Sequence, residues 1–341
     1  SIQPSLPALT NLDGDSDDDL VFGVFLDPDI RYFENEGSNT FTERTGNDNP
    51  FEIVEGVSSP APNLIDIDGD GDLDLFLGDR ASGYGIVNFF TNEGTPTSPK
   101  LNNILVSVPD PNIEPVPVFV NLDGDDDLDL FVGTAEDAFY YENDGSSNFT
   151  QLGSGDGANP LQGVVPSSAG IRLSPQLVDI DNDDDLDVFS GNRSGTIDFY
   201  INNGGTYSRI TGGGNPLDLV DLGDGKRSKP AFVDIDGDED FDVFVGEKDG
   251  VIFYYKNEGD KDTPNFVMQA DGNNPLGSSV VNLGDSTYVS PTFTDYDNDG
   301  DFDLFVGYQF GEVGQPQGRW AAPDWGYCNI RGYYPRERYR Y

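Results

Sequence analysis

Thirty side chains in this sequence are spaced to bind a hard cation. They fall in six loops of one pattern, an Asp or Asn followed by aspartate at every second position, then three mostly apolar residues and a glycine. The loops are Asn11, Asp13, Asp15, Asp17, Asp19; Asp66, Asp68, Asp70, Asp72, Asp74; and Asn121, Asp123, Asp125, Asp127, Asp129. The other three are Asp179, Asp181, Asp183, Asp185, Asp187; Asp234, Asp236, Asp238, Asp240, Asp242; and Asp295, Asp297, Asp299, Asp301, Asp303. In a tight loop, carboxylates at positions 1, 3, 5 and 9 can converge on one ion, and position 7, for example Asp72, offers its backbone carbonyl. Oxygen ligands select a hard cation, and calcium's large, flexible shell suits them better than magnesium's strict octahedron. The chain has no histidine and a single thiol, Cys328, so zinc and copper lack their usual ligands. Position 4 is Gly14, Gly69, Gly124, Asn182, Gly237 or Asn298, types that accept the left-handed backbone a chain needs to wrap an ion. Without metal, each close carboxylate pair repels by about 1 kcal/mol even in water-like dielectric, so ion binding and folding should be coupled. Up to six calcium ions are expected, bound more weakly where Asn11 and Asn121 replace aspartate.

The loops must be held by strands, and the surrounding sequence repeats with them. The copies end at Gly23, Gly78, Gly133, Gly191, Gly246 and Gly307 and start 55 to 61 residues apart. A short apolar strand precedes each loop, often after proline, as in Pro230–Asp234, and a second follows it, as in Asp242–Gly246. A third follows in five copies, closed by Asn35-Glu-Gly37, Asn92-Glu-Gly94, Asn143-Asp-Gly145, Asn202-Asn-Gly204 or Asn257-Glu-Gly259, turn residues that tolerate positive φ. A fourth is placed around Phe41, Phe149, Tyr207 and Phe266, before Asn-Pro turns at Asn49, Asn159, Asn215 and Asn274. Several strands are continuous apolar runs, which means that both faces are covered. Repeated all-β units of this length predict a β-propeller of six four-stranded blades, with a seven-bladed ring as the alternative.

The loops with their flanking strands resemble the FG-GAP or VCBS repeats of integrin α-chain propellers and of many secreted bacterial proteins. The resemblance covers roughly residues 5 to 310. It implies a propeller whose calcium loops join the first two strands of each blade, in an extracellular setting. It implies no single activity, since related propellers serve adhesion, sugar binding and assembly.

Composition narrows the function. With 63 acidic and 18 basic side chains the net charge is −45, which repels nucleic acid and anionic membranes. The 12% aromatic content supplies far more core than a disordered acidic chain carries. One cysteine rules out an internal disulfide framework, so metal is the expected staple of an extracellular fold. No apolar run is long enough to span a bilayer, no basic-then-apolar signal segment opens the sequence, and the start at Ser1 fits a removed leader and an arbitrary boundary equally well. Without histidine there is no Ser-His or Cys-His nucleophile and no histidine base. Carboxylate pairs could hydrolyse glycosides, but these aspartates are assigned to the loops. The chain is therefore expected to be a non-catalytic, secreted or cell-surface, calcium-binding subunit with a structural, adhesive or self-assembling role, partnered by itself, another extracellular protein or glycans. A lectin-like, carbohydrate-binding propeller is the alternative.

Residues 311 to 341 depart from the repeats: they hold Trp320, Trp325, Cys328, five Tyr and five Arg against three acids. The chain thus divides into a propeller, 1–310, and an atypical segment, 311–341, which completes blade six, docks on an acidic partner or reflects an altered reading frame. Two sequons, Asn148-Phe-Thr150 and Asn192-Arg-Ser194, are candidate glycosylation sites. Lys226, Arg227 and Lys229 form the one basic cluster in the repeats, expected to be a solvated loop.

Overall fold

The computed structural model describes residues 8–15, 17–23, 29–37, 40–54, 57, 61–79, 86–94, 101–107, 116–122, 125, 127–133, 138–153, 159–161, 164, 174–269, 274–276, 288–295 and 302–309. Each repeat folds as an antiparallel meander, because apolar runs of five to seven residues alternate with Asp-, Asn- and Gly-rich turns. The first sheet comprises β1 (Ala8–Thr10), β2 (Asp19–Gly23), β3 (Ile30–Asn35) and β4 (Phe41–Arg44). The second comprises β5 (Ala61–Ile65), β6 (Asp74–Asp79), β7 (Ile86–Asn92) and β8 (Leu101–Ser107). The third is β9 (Val116–Val120), β10 (Asp129–Gly133), β11 (Ala138–Asn143) and β12 (Phe149–Leu152), and the fourth is β13 (Ser174–Val178), β14 (Asp187–Gly191), β15 (Ile197–Asn202) and β16 (Tyr207–Ile210). The fifth is β17 (Lys229–Val233), β18 (Asp242–Gly246), β19 (Ile252–Asn257) and β20 (Phe266–Met268). The sixth copy shows two strands, β21 (Tyr288–Thr294) and β22 (Asp303–Gln309).

The all-β propeller is as expected, but the blade count is corrected: five sheets have four strands, and the sixth repeat forms a two-stranded sheet among the described residues. Among the described residues, six four-stranded blades are not found, nor is a seventh sheet. The physical reason lies in the sequence after Gly307, which lacks the apolar run and Asn-Glu-Gly turn that build the third strand elsewhere. Residues 310–341, with Trp320, Trp325 and Cys328, lie outside the described residues.

Phenylalanine joins the sheets. Phe189 stacks on Phe199 of its own blade at 4.5 Å and meets Phe232 of the next blade at 4.8 Å. Phe76 lies equally between Phe89 and Phe119, and Phe244 between Tyr254 and Phe293. The second strand is therefore buried on both faces, which explains its unbroken apolar run. The first blade sits beside the sixth repeat: Phe41 meets the ring of Phe305 at 6.5 Å, as Phe149 of the third blade meets Phe76 of the second at 5.9 Å. The Thr294 hydroxyl also donates to Asp18 at 3.3 Å.

The first strands of all six sheets surround a central cavity of about 480 Å³. Pro62, Pro117, Pro175, Pro230 and Pro291 line it. Proline lacks an N–H and is tolerated on these strands because their inner edge faces the cavity rather than another strand. At the outer end, the Asn-Pro turns dock the linker between blades. Asn215 donates to the Ile197 carbonyl at 2.9 Å and accepts from the Leu217 N–H at 2.9 Å, so that Leu217 and Val220 enter the core between the fourth and fifth blades. Asn49 does the same with Ile30 and Phe51.

Candidate metal centre

Each loop joins the first and second strands of its blade, so the shared blade topology puts the acidic loops at one end of the ring. The backbone of each is shaped by its own aspartates. In the fifth loop Asp234 Oδ1 accepts from the N–H groups of Gly237 and Asp238, at 2.7 and 3.2 Å, and its Oδ2 accepts from Glu239 at 3.1 Å. Asp66 and Asp179 hold their loops in the same way. In the first loop Asn11 accepts from Gly14 at 2.7 Å, so asparagine preserves the turn while giving up a charge. Position 5 then accepts from position 7, as Asp183 does from Asp185 and Asp70 from Asp72. Two left-handed residues result. Position 4 was anticipated: Gly14, Gly69, Asn182 and Gly237 have φ between 57° and 83°. Position 6 was not: Gly71, Asp184 and Glu239 have φ of 91°, 69° and 72°. Its side-chain types vary too much for sequence reasoning to have found it.

The position 9 aspartate has a second task. Asp19, Asp74, Asp129, Asp187 and Asp242 are buried, and one oxygen of each accepts from the N–H of the asparagine that closes the third strand, at 2.6 to 3.0 Å. In the first four the other oxygen accepts from the N–H at position 2. Tyr32 and Tyr254 donate hydroxyls to Asp19 and Asp242. This carboxylate therefore pins the loop to both strands, a role that spacing alone does not reveal. Burial pushes Asp187 up to about 7, and Asp19, Asp74 and Asp242 up to about 6. It raises Asp129 as well.

At position 7, Asp127 and Asp185 lie against the turn that closes the third strand of their blades. Asp185 accepts from the Gly204 N–H at 2.8 Å. Asp127 lies so close to Gly145 that a Cβ there would come within 2.4 Å of its carboxylate, which accounts for glycine at the end of the third-strand turn. In the fifth loop Asp240 is instead buried and pushed up to about 6 by desolvation, with Asp238 adding to the rise.

Three groups of carboxylates come together with their ligand atoms within 4.8 Å of one another: Asp66, Asp68 and Asp74; Asp179, Asp181 and Asp183; Asp234, Asp236 and Asp238. Burial and neighbouring charge raise Asp68 and Asp181. Asp181 Oδ1 and Asp236 Oδ1 are buried with no hydrogen-bond donor. An all-oxygen cluster with buried acceptors lacking donors fits a hard dication, as the sequence predicts. Asp187 and Asp242 are not part of the groups in their loops: Asp187 accepts from the N–H groups of Ile180 and Asn202, and Asp242 from the Asn257 N–H and the Tyr254 hydroxyl. In the first loop Asp15 and Asp17 receive or make the same turn bonds as their equivalents. Asn121, Asp125, Asp127 and Asp129 are described in the third loop and Asp295 and Asp303 in the sixth. Asp123, Asp297, Asp299 and Asp301 lie outside the described residues.

The FG-GAP-like repeat family matches residues 11–77 and 179–245, each span running from one acidic loop through the second strand of the next. The chain is a β-propeller that carries FG-GAP-like repeats. No curated protein matches it in sequence. Among solved structures it is similar to a lectin from Agrocybe aegerita that recognises non-reducing terminal N-acetylglucosamine. The two share 16% identity over 89% of this chain and 74% of that one, with a TM-score of 0.53. It is also similar to AofleA from Arthrobotrys oligospora, at 10% identity, 89% and 79% coverage and a TM-score of 0.51. At these identities the likeness is one of fold. Among the described residues no helix is long and apolar enough to cross a membrane.

The other candidate residues are resolved by their contacts. Asn192 is buried and donates to Thr196 Oγ1 at 2.7 Å, so its sequon is closed to a glycan. Asn148 is exposed and donates to Asp144. Lys226 pairs with Asp249 and, at 3.3 Å, with Glu247, while the Arg227 guanidinium lies 4.8 Å over the Tyr288 ring.

Proposed function

We propose that this FG-GAP propeller is a calcium-stapled, non-catalytic extracellular module that acts as a structural, adhesive or self-assembling subunit, with copies of itself or another extracellular protein as partner. The observation that carries the reading is the pair of donorless buried oxygens on Asp181 and Asp236, each set among three converging carboxylates. Calcium would be held by Asp66, Asp68 and Asp74 in the second loop, Asp179, Asp181 and Asp183 in the fourth and Asp234, Asp236 and Asp238 in the fifth. Bound there, it supplies the positive charge that the crowded carboxylates lack. A millimolar-calcium environment, secreted or at a cell surface, is where such loops fill. With no histidine in the chain and the aspartates committed to loop geometry, binding is favoured over catalysis. Sedimentation and negative-stain imaging of the native chain test the assembly role. Oligomers or filaments in calcium that dissolve on chelation are expected, whereas a monomer at every calcium concentration would rule it out.

A second reading, carbohydrate binding, draws on the fold shared with the N-acetylglucosamine lectin. It predicts multivalent binding on a glycan array by a chain that stays monomeric. An array with no retained glycan would remove it.

A further inference from the structure

The fourth and fifth loops form a natural control. Both carry aspartate at positions 1, 3, 5, 7 and 9. In both, position 1 accepts from the N–H groups of positions 5 and 6 at 3.1 to 3.2 Å, and the position 1, 3 and 5 carboxylates converge. They differ at the residue just before the asparagine that closes the third strand. This is Ile201 in the fourth blade and Lys256 in the fifth, with Glu34, Thr91 and Glu142 in the first three. The position looks at the loop, since the Glu34 charge raises Asp13 and the Lys256 ammonium lies against the Asp236 and Asp238 carboxylates, 3.5 Å from Asp238. Half-buried, Lys256 binds Oδ2 of both aspartates, while Oδ1 of Asp236 has no donor.

We propose that Lys256 is a tethered cation for the fifth loop, so that this loop keeps its shape without a divalent ion and takes calcium more weakly than the fourth. The proposal rests on the calcium reading for its second half and on geometry alone for its first. An ammonium among carboxylates relieves the repulsion that would otherwise open the loop, and the same charge repels an incoming dication. At about 4 Å, even in water-like dielectric, that repulsion corresponds to a loss of affinity on the order of tenfold or more. The residue at this one strand position thus grades the loops, from added negative charge at Glu34 and Glu142 to positive charge at Lys256. The Arg44 guanidinium, bound bidentately to Glu34 at 2.7 Å, moderates the first of these.

Hydrogen exchange of the full chain, read at amides 179–187 and 234–242 through a calcium titration and in chelator, tests it with Lys256→Ile and Ile201→Lys. In the native chain the fifth loop should stay protected in chelator while the fourth opens. Lys256→Ile should make the fifth loop open in chelator and close on added calcium in the range that closes the fourth loop. Ile201→Lys should make the fourth loop indifferent to chelator. Lys256→Arg keeps the charge and should behave as native, and unchanged exchange in the loop that a variant does not alter shows that it has folded. If Lys256→Ile leaves the fifth loop's protection in chelator unchanged, the proposal is overturned. Should no loop of any variant respond to calcium, the calcium reading fails, and loss of fifth-loop protection in Lys256→Ile would still uphold the tethered cation.

Discussion

Asp187 shows how one side chain serves fold and site together. Its two oxygens receive the backbone N–H groups of Ile180 and Asn202, and it lies fully buried. Asp187→Ala leaves both donors without a partner and should cost about 2 to 4 kcal/mol, read as a fall in the urea midpoint. Titration gives a second test. Asp19, Asp74, Asp242 and Asp187 have folded values of about 6, 6, 6 and 7, above that of an aspartate in the unfolded chain. In the ion-free chain protonation therefore favours folding. This contribution is complete below about pH 4 and is lost as pH rises through about 6 to 7. Calcium, bound as proposed, would keep the acidic loops charged and should reverse the slope. Urea midpoints at about pH 5 and pH 7.5 are expected to fall with pH in chelator and to rise with pH in calcium. The same slope in both conditions would contradict the assignment.

At the scale of the strand and the turn, stability comes from the aromatic sandwich between blades and from the close approach of loop and turn. Phe189→Ala removes a fully buried ring that touches two blades and should cost about 3 to 5 kcal/mol. Gly145→Ala should destabilise by about 1 to 3 kcal/mol, because its φ of 73° disfavours a side chain and the added carbon meets Asp127. Denaturant unfolding followed by tyrosine fluorescence measures both. These elements were largely legible in the sequence. The second strand was placed at Asp242–Gly246, where it lies, and the fourth strands begin at the predicted Phe41, Phe149, Tyr207 and Phe266. The strand Leu101–Ser107 escaped notice because no aromatic residue opens it. The position 9 pin also escaped, since its partners are backbone N–H groups up to 18 residues away. The contact of Lys256 with the fifth loop spans 20 residues and has no counterpart in the other blades to reveal it by repetition.

Across the whole ring, repetition gave the propeller and its six acidic loops, but it overstated the number of complete blades. A pattern carried by the first two strands of a unit says nothing of the third and fourth. Among the described residues, the first blade meets the sixth repeat through Phe41 with Phe305 and Asp18 with Thr294. One cysteine leaves no internal disulfide to reinforce them. With a net charge of −45, the chain folds against its own repulsion, and dications bound at the acidic loops as proposed would relieve it where the charge is densest. The most direct test is to count bound calcium by elemental analysis on the native chain while following its thermal unfolding in calcium and in chelator. Several ions per chain, with a Tm that drops sharply on their removal and recovers on their return, is the result predicted here. A chain that carries no calcium and melts at the same temperature in both conditions would contradict the central claim.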